Sequence, residues 1–219
     1  MIELKNITKS YYLWWNELKI LKWIDLEIND WDFISIMWPS GSWKSTLMNI
    51  IWLLDIPTSW KYILNWKEIS WLSEDKLANI RWKNIGFIFQ SYNLIARTSV
   101  LKQVMLPLAY QWVSKSKRKI LAIEALKKVW LENKINSKPN ELSGWQQQRV
   151  SIARALAVNP TMILADEPTW ALDSTTWKEI MELLTLLNEN WTTIVLITHE
   201  SEIDEYAKKH IKIRDGKIV

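Results

Sequence analysis

Apolar residues recur along this chain in two periods, and the two alternate. Positions 33–37, Phe-Ile-Ser-Ile-Met, form a short continuous apolar run, the mark of a strand covered on both faces. A loop over 38–43 follows, then an apolar helix over 44–54. Further strands are expected at 2–7 and 20–28, with a loop between them, and at 62–64, 85–89, 162–165 and 192–198. Helices are expected at 74–81, 100–110, 115–129, 146–158 and 178–187. In 115–129, Ile120, Ile123, Leu126 and Val129 recur at helical spacing. Pro107 is expected to kink or end the helix that holds it. Asp215-Gly216 reads as a hairpin turn between 211–213 and 217–219. Strands alternating with helices predict an α/β fold with a mainly parallel sheet. The stretch 90–155 lacks strand patterns and reads as a helical subdomain.

Composition narrows the class. The 219 residues fit one large domain or two small ones. Apolar residues at 48% and charged residues at 24% are those of a globular chain and exclude a disordered one. No apolar run reaches bilayer length. The first ten residues carry charges where a signal peptide needs an apolar run, so secretion is not expected. Zero Cys excludes a disulfide framework and Cys-ligated zinc. The net charge of +4 is small enough to read as a solvated surface.

One count is abnormal. The chain has 4 Gly and 17 Trp, where ordinary usage of about 7% predicts about 15 Gly. The tryptophans sit in the punctuation. Trp31 follows Asp30, Trp66 follows Asn65 and Trp191 follows Asn190, ahead of β-rich runs at 33–37, from 69 onward, and at 192–198. Trp60 ends a Pro-Thr-Ser turn, and Trp14 and Trp15 precede Asn16 between apolar segments. Asp-Gly and Asn-Gly are strong turn signals because both residues tolerate φ > 0, whereas Asp-Trp and Asn-Trp have no such logic. The reading is that Trp is written where the source inserts Gly, through a UGA codon reassigned to glycine.

With Gly at Trp38 and Trp43, the run Trp38, Pro39, Ser40, Gly41, Ser42, Trp43, Lys44, Ser45, Thr46 becomes G-x-x-x-x-G-K-S-T between a strand and a helix. Glycines let backbone amides converge on phosphates at a helix N-terminus, where the dipole also favours negative charge. Lys44 is then expected to reach the β- and γ-phosphates, and the Ser45 hydroxyl to ligate Mg²⁺. Downstream, the expected strand 162–165 ends in Asp166 and Glu167. Asp166 is suited to holding Mg²⁺ through water, and Glu167 to orienting and deprotonating an attacking water.

The run Leu142-Ser143-Gly144-Trp145-Gln146, leading into Gln147-Gln148-Arg149-Val150, also fits a capping box, with Ser143 at the N-cap and Gln146 three residues on. Read with Gly at 145, it resembles the signature motif of ATP-binding cassette (ABC) ATPases. The segments around 28–46, 85–95, 104–108 and 166–173 are similar to the ATPase subunits of the lipoprotein-release, macrolide-export and cell-division group. The resemblance implies an ABC-type nucleotide-binding domain: a P-loop NTPase fold with a mainly parallel core sheet, an N-terminal antiparallel β subdomain and a helical subdomain. It would fill 1–219 as one domain, with 1–89 and 156–219 as core plus β subdomain and 90–155 as the helical signature subdomain. It further implies that Tyr11 stacks on adenine and that Gln90 senses Mg²⁺ and the γ-phosphate. Asp173 would cross a dimer interface, and His199 would contact the γ-phosphate.

The implied assembly is a head-to-tail homodimer sandwiching two ATP molecules. Lys44, Ser45, Gln90, Asp166, Glu167 and His199 would come from one subunit; Ser143, Gly144, Trp145 and Asp173 from the other. The implied partner is an integral-membrane permease, met through 91–116, with the ATPase peripheral on the cytoplasmic face of the membrane and no nucleic acid bound. A regulatory, non-transporting role of the cell-division type is the alternative. A DNA-repair or ribosomal ABC protein would need a long coiled coil or a second cassette, and 219 residues contain neither. A catalytically dead binding module that carries real tryptophans is the last reading.

Overall fold

The computed structural model describes residues 1–14, 16–37 and 43–219, side chains at 13, 43 and 60 excepted. In chain order the elements are β1 (Ile2–Leu13), β2 (Asn16–Ile28), β3 (Phe33–Met37), α1 (Trp43–Ile51), β4 (Ser59–Leu64), β5 (Lys67–Glu68), α2 (Glu74–Asn84), β6 (Ile85–Ile88), α3 (Val100–Tyr110), α4 (Lys115–Lys128), α5 (Gly144–Leu156), β7 (Met162–Asp166), α6 (Thr176–Glu189), β8 (Thr193–Thr198), α7 (Ser201–Asp204), β9 (Lys209–Arg214) and β10 (Lys217–Ile218). Two 3-10 turns, Glu132–Lys134 and Pro139–Glu141, lie between α4 and α5. The chain divides into two units: Met1–Arg81 with Leu196–Val219, and Trp82–Val195.

In the first unit, β1 and β2 form an antiparallel hairpin running from the pair Ile2–Ile28 to the pair Leu13–Asn16. The loop expected between 7 and 20 is therefore strand for most of its length. Its described side chains at 11, 12, 14 and 16–19 are exposed, so no hydrophobic alternation marks it. Register shifts between Leu4 and Ser10 bend the strand. The sheet order is β2-β1-β4-β5. The β-rich run from 69 onward forms no strand, and the short β5 ends before it at Glu68. In the same unit β3 pairs parallel with β9, and β9 antiparallel with β10. The last three residues of β8 lie in this unit, beside β3. Ile34 and Ile36 in β3, Ile50 in α1, and Ile197 in β8 are buried.

In the second unit, β6 pairs parallel with β7, from Ile85–Met162 to Ile88–Ala165, and β7 neighbours the start of β8. Helices α3, α4 and α5 pack on one another, and α5 lies against β6 and α6. Gly86 allows that approach: a Cβ there would stand 2.9 Å from the Ala155 carbonyl oxygen. Helix α3 runs past Pro107 to Tyr110. Pro107 lies one turn from the helix end and forfeits only its own bond to the Gln103 carbonyl. Among the described residues of 90–155 there is no strand. Among the described residues no helix is long and apolar enough to cross a membrane.

The helix ends carry the unusual residues. Helix α3 closes with Trp112 N–H donating to the Ala109 carbonyl (3.2 Å) and Val113 N–H to the Leu108 carbonyl (3.3 Å). In α4, Trp130 donates to Lys127 and Leu131 to Leu126; in α6, Trp191 donates to Asn188 and Thr192 to Leu187. Each is a Schellman closure, which places the residue after the cap in the left-handed region and so favours Gly. Trp112, Trp130 and Trp191 have φ of 57°, 57° and 66°. Trp14, Trp23, Trp31 and Trp66 also have positive φ. The two short hairpins make an internal control. Asp215-Gly216 and Asn65-Trp66 both turn with positive φ at both residues, 51° and 76° in one, 48° and 66° in the other. That is the pair of signs a type I′ turn demands.

Candidate functional site

The first unit holds the start of α1. Lys44 is half-buried, Ser45 exposed and Thr46 buried there. The expected phosphate-loop residues Trp38, Pro39, Ser40, Gly41 and Ser42, and the side chain of Trp43, lie outside the described residues. Tyr11 stands near the end of β1. Its hydroxyl donates to Asp55 Oδ2 at 2.8 Å, and Lys9 Nζ lies 5.0 Å from its ring centre. Burial and the bond to Asp55 push the Tyr11 hydroxyl up from its ordinary pKa. Asp55 Oδ1 accepts from Lys9 Nζ at 2.6 Å. Burial alone would raise the Asp55 carboxyl, but the bonds from Lys9 and Tyr11 outweigh it, and the carboxyl sits below its ordinary value. His199 follows β8 directly and is exposed.

The second unit brings Gln90 and Glu167 together. Gln90 follows the end of β6 and Glu167 the end of β7, the neighbouring strand. Gln90 Nε2 donates to Glu167 Oε2 at 3.1 Å. Asp166 is the last residue of β7. Glu167 is buried and has φ of 42°, a left-handed conformation rare for a residue with a side chain. Parallel pairing of two buried strands thus delivers an amide and a carboxylate to one strand-end rim.

At the head of α5, Ser143 and Gln146 form the expected capping box: Ser143 Oγ accepts from Gln146 N–H at 3.4 Å, and Gln146 Oε1 from Ser143 N–H at 3.0 Å. Gly144 faces Tyr92, whose hydroxyl would lie 2.8 Å from a Cβ. The ring of Trp145 lies under the Arg149 guanidinium, 4.6 Å away, and Trp130 at 4.9 Å also faces that group. The Asp173 carboxylate accepts the Thr175 and Thr176 amides, both at 3.0 Å. These bonds, with Thr176 the larger, hold its carboxyl below the ordinary range. Asp173 thus secures the first turn of α6.

Two residues of this unit escaped sequence reasoning. Gln148 is fully buried and its Nε2 donates to the Pro168 carbonyl at 2.7 Å, fixing the backbone just beyond Glu167. Its signal was a polar residue four positions before the buried Ile152 on the same helical face. Arg154 donates to the Tyr92 and Asn93 carbonyls at 3.0 and 2.7 Å and holds the segment that follows Gln90.

The ABC transporter family profile matches residues 21–170. The chain is 49% identical over 218 residues to the macrolide export ATP-binding/permease protein MacB of Bdellovibrio bacteriovorus, covering all of this chain and 33% of that protein. It thus spans about a third of MacB's length. It is 47% identical over 219 residues to the uncharacterized ABC transporter ATP-binding protein YknY of Bacillus subtilis, covering all of this chain and 95% of YknY. Among solved structures, the MJ0796 cassette, whose sequence relative is from Methanocaldococcus jannaschii, is 45% identical. Its dimeric post-hydrolysis state bound to ADP and Pi superposes with a TM-score of 0.88, covering all of this chain and 96% of that one. Fold, motif order and these likenesses converge: the chain belongs to the ABC transporter family, as an ATPase cassette.

Proposed function

We propose that this chain powers a separate membrane permease by hydrolysing ATP as a head-to-tail homodimer on the cytoplasmic face of the membrane. The observation that carries the reading is the Gln90–Glu167 pair at the rim of two parallel strands. Glu167 takes the proton of the attacking water, and Gln90 holds that carboxylate in register with the phosphate. Lys44 offsets charge on the β- and γ-phosphates, His199 donates to the γ-phosphate, and Tyr11 stacks on adenine. Ser143, Gly144, position 145, Gln146 and Asp173 serve the site of the opposite subunit. One domain fills the chain, with 90–155 as its helical signature subdomain.

Mg²⁺ fits the donor set. Ser45, Gln90 and Asp166 offer oxygen atoms, the ligands a hard cation takes. Among the described residues no group of three or more His, Cys, Asp or Glu could hold a metal. Mg²⁺ is commonly held by one or two carboxylates with phosphates and water, rather than by an all-protein cage. When bound, it neutralises charge on the phosphates. The likenesses to export and transporter ATP-binding proteins favour transport over the regulatory alternative. The test is Glu167→Gln. Turnover should fall by about 10²–10⁴-fold, while size exclusion with ATP still returns a dimer. A variant that stays monomeric with ATP would overturn the scheme.

We further infer that the source organism inserts glycine at the Trp positions. The support is the backbone. Seven tryptophans have left-handed φ among the described residues, and all seven are exposed. At about 1–2 kcal/mol each, left-handed strain would total about 7–14 kcal/mol. That is as large as the whole stability of a typical domain, about 5–15 kcal/mol. Peptide sequencing of native protein tests it, and indole-bearing residues at 112, 130 and 191 would end the idea.

A further inference from the structure

We propose that Asp204 is a positioning residue for His199, held in place by Ser35 and His210. The inference rests on the ATPase reading, in which His199 meets the γ-phosphate.

Three polar side chains meet in the first unit, apart from the sequence motifs. Ser35 lies fully buried in the middle of β3. Its Oγ donates to Asp204 Oδ1. His210 Nδ1 lies 3.1 Å from Asp204 Oδ2 and 3.4 Å from Ser35 Oγ. Asp204 is mostly buried, and the His210 ring is half exposed. Ser, His and Asp together suggest a hydrolytic triad, but the order is wrong. A triad bonds hydroxyl to imidazole, and the other imidazole nitrogen to carboxylate. Here the carboxylate takes both partners directly, and the serine is closed to solvent. The cluster is a clasp.

Its place gives its use. β8 ends at Thr198, His199 follows, and α7 begins at Ser201 and ends at Asp204. Four residues are far too few for a helix to hold itself. The seat of α7 depends on tertiary anchors, and it has an apolar one in Ile203, which is buried. Asp204 is the polar one. Beyond it, Lys208 N–H donates to the Phe33 carbonyl at 2.8 Å, so the chain leaving α7 joins β3. The arm bearing His199 is therefore strung between β8 and β3, with the clasp as its middle anchor. β3 ends at Met37, directly before the phosphate-loop sequence. A bond from β3 to α7 ties the strand that feeds one phosphate-contacting segment to the arm that carries another. A polar cluster anchored on a fully buried serine also fixes one arrangement, which apolar contact alone specifies less sharply.

The test uses Asp204→Leu, Asp204→Asn and Ser35→Ala in the full chain made with Gly at the Trp positions. Asp204→Leu, which removes both the Ser35 and the His210 contacts, should lower kcat for ATP by at least about tenfold, the change that loss of even one charge-assisted hydrogen bond gives. KM for ATP should stay within about twofold, because nucleotide affinity is set elsewhere. Asp204→Asn can still accept from Ser35 and donate to His210, and should recover most of kcat. Ser35→Ala, which leaves the Asp204–His210 contact, should fall between them and supplies the answer if the Leu variant does not fold. Amide exchange over 199–205 should quicken in the order Asn, Ala, Leu without nucleotide. Unchanged kcat in a variant that merely melts earlier overturns the inference, as does unchanged exchange. A parent chain made with Gly at the Trp positions that binds no ATP overturns the ATPase reading instead, and the exchange series then judges the clasp alone.

Discussion

Replacing Trp112 by glycine should make the tryptophan-bearing chain more stable, against the usual expectation for deleting a large aromatic. Trp112 closes α3 with φ of 57°. Removing its side chain relieves about 1–2 kcal/mol of left-handed strain. The indole is 95% exposed, so almost no burial is lost. The opposing term is the freedom glycine gives the unfolded chain, about 0.5–1 kcal/mol. The net gain is about 0.5–1 kcal/mol, or roughly 1–4 °C in melting temperature for a chain of this size. Trp130 supplies the contrast. It closes α4 in the same way, but its ring faces the Arg149 guanidinium at 4.9 Å and is only 52% exposed. Losing that contact costs about 0.5–1 kcal/mol, which cancels the gain. Trp130→Gly should therefore be near neutral. Urea titration of both variants and the parent measures the pair. A destabilised Trp112→Gly, or a Trp130→Gly that gains more than Trp112→Gly, would refute the reasoning.

Three further outcomes are expected. The depressed Asp55 carboxyl contributes stability that is present above its unfolded pKa, about 3.9, and is lost as pH falls through its lower folded value. Acid titration below about pH 4 should thus show a limb that Asp55→Asn flattens, read by circular dichroism. Gly86→Ala should destabilise by about 1–3 kcal/mol, because the new methyl meets backbone at Ala155 O, 2.9 Å away. Gly144→Ala meets only the hydroxyl end of Tyr92 and should cost less by the same urea titration.

How much of this was legible in sequence depended on burial. β3 was found at its observed bounds because Phe33, Ile34 and Ile36 are covered on both faces and leave a continuous apolar run. Gln90, Asp166 and Glu167 were placed at strand ends for the same reason, since β6 and β7 are buried throughout except at Asp166. The outer half of the β1–β2 hairpin was not legible, because exposed residues such as Glu17 and Lys19 keep no period. Helix α7 was missed because four residues carry too little pattern to register. The Gln90–Glu167 bond joins positions 77 apart, a proximity that only the pairing of β6 with β7 creates. The helix closures at 112 and 130 were hidden behind a residue type that no capping rule assigns to them, whereas Asn190 before Trp191 still marked a turn.

β1 stops at Leu13, and the next residue is the first tryptophan. If that codon is UGA, a ribosome that takes it as a terminator ends the chain at Leu13, before the β2 and β4 edges that flank β1. A β1 ended there has neither of its sheet neighbours to pair with. The gene would be silent in any cell using the standard table, and a lineage with the altered table could exchange it only with its own kind.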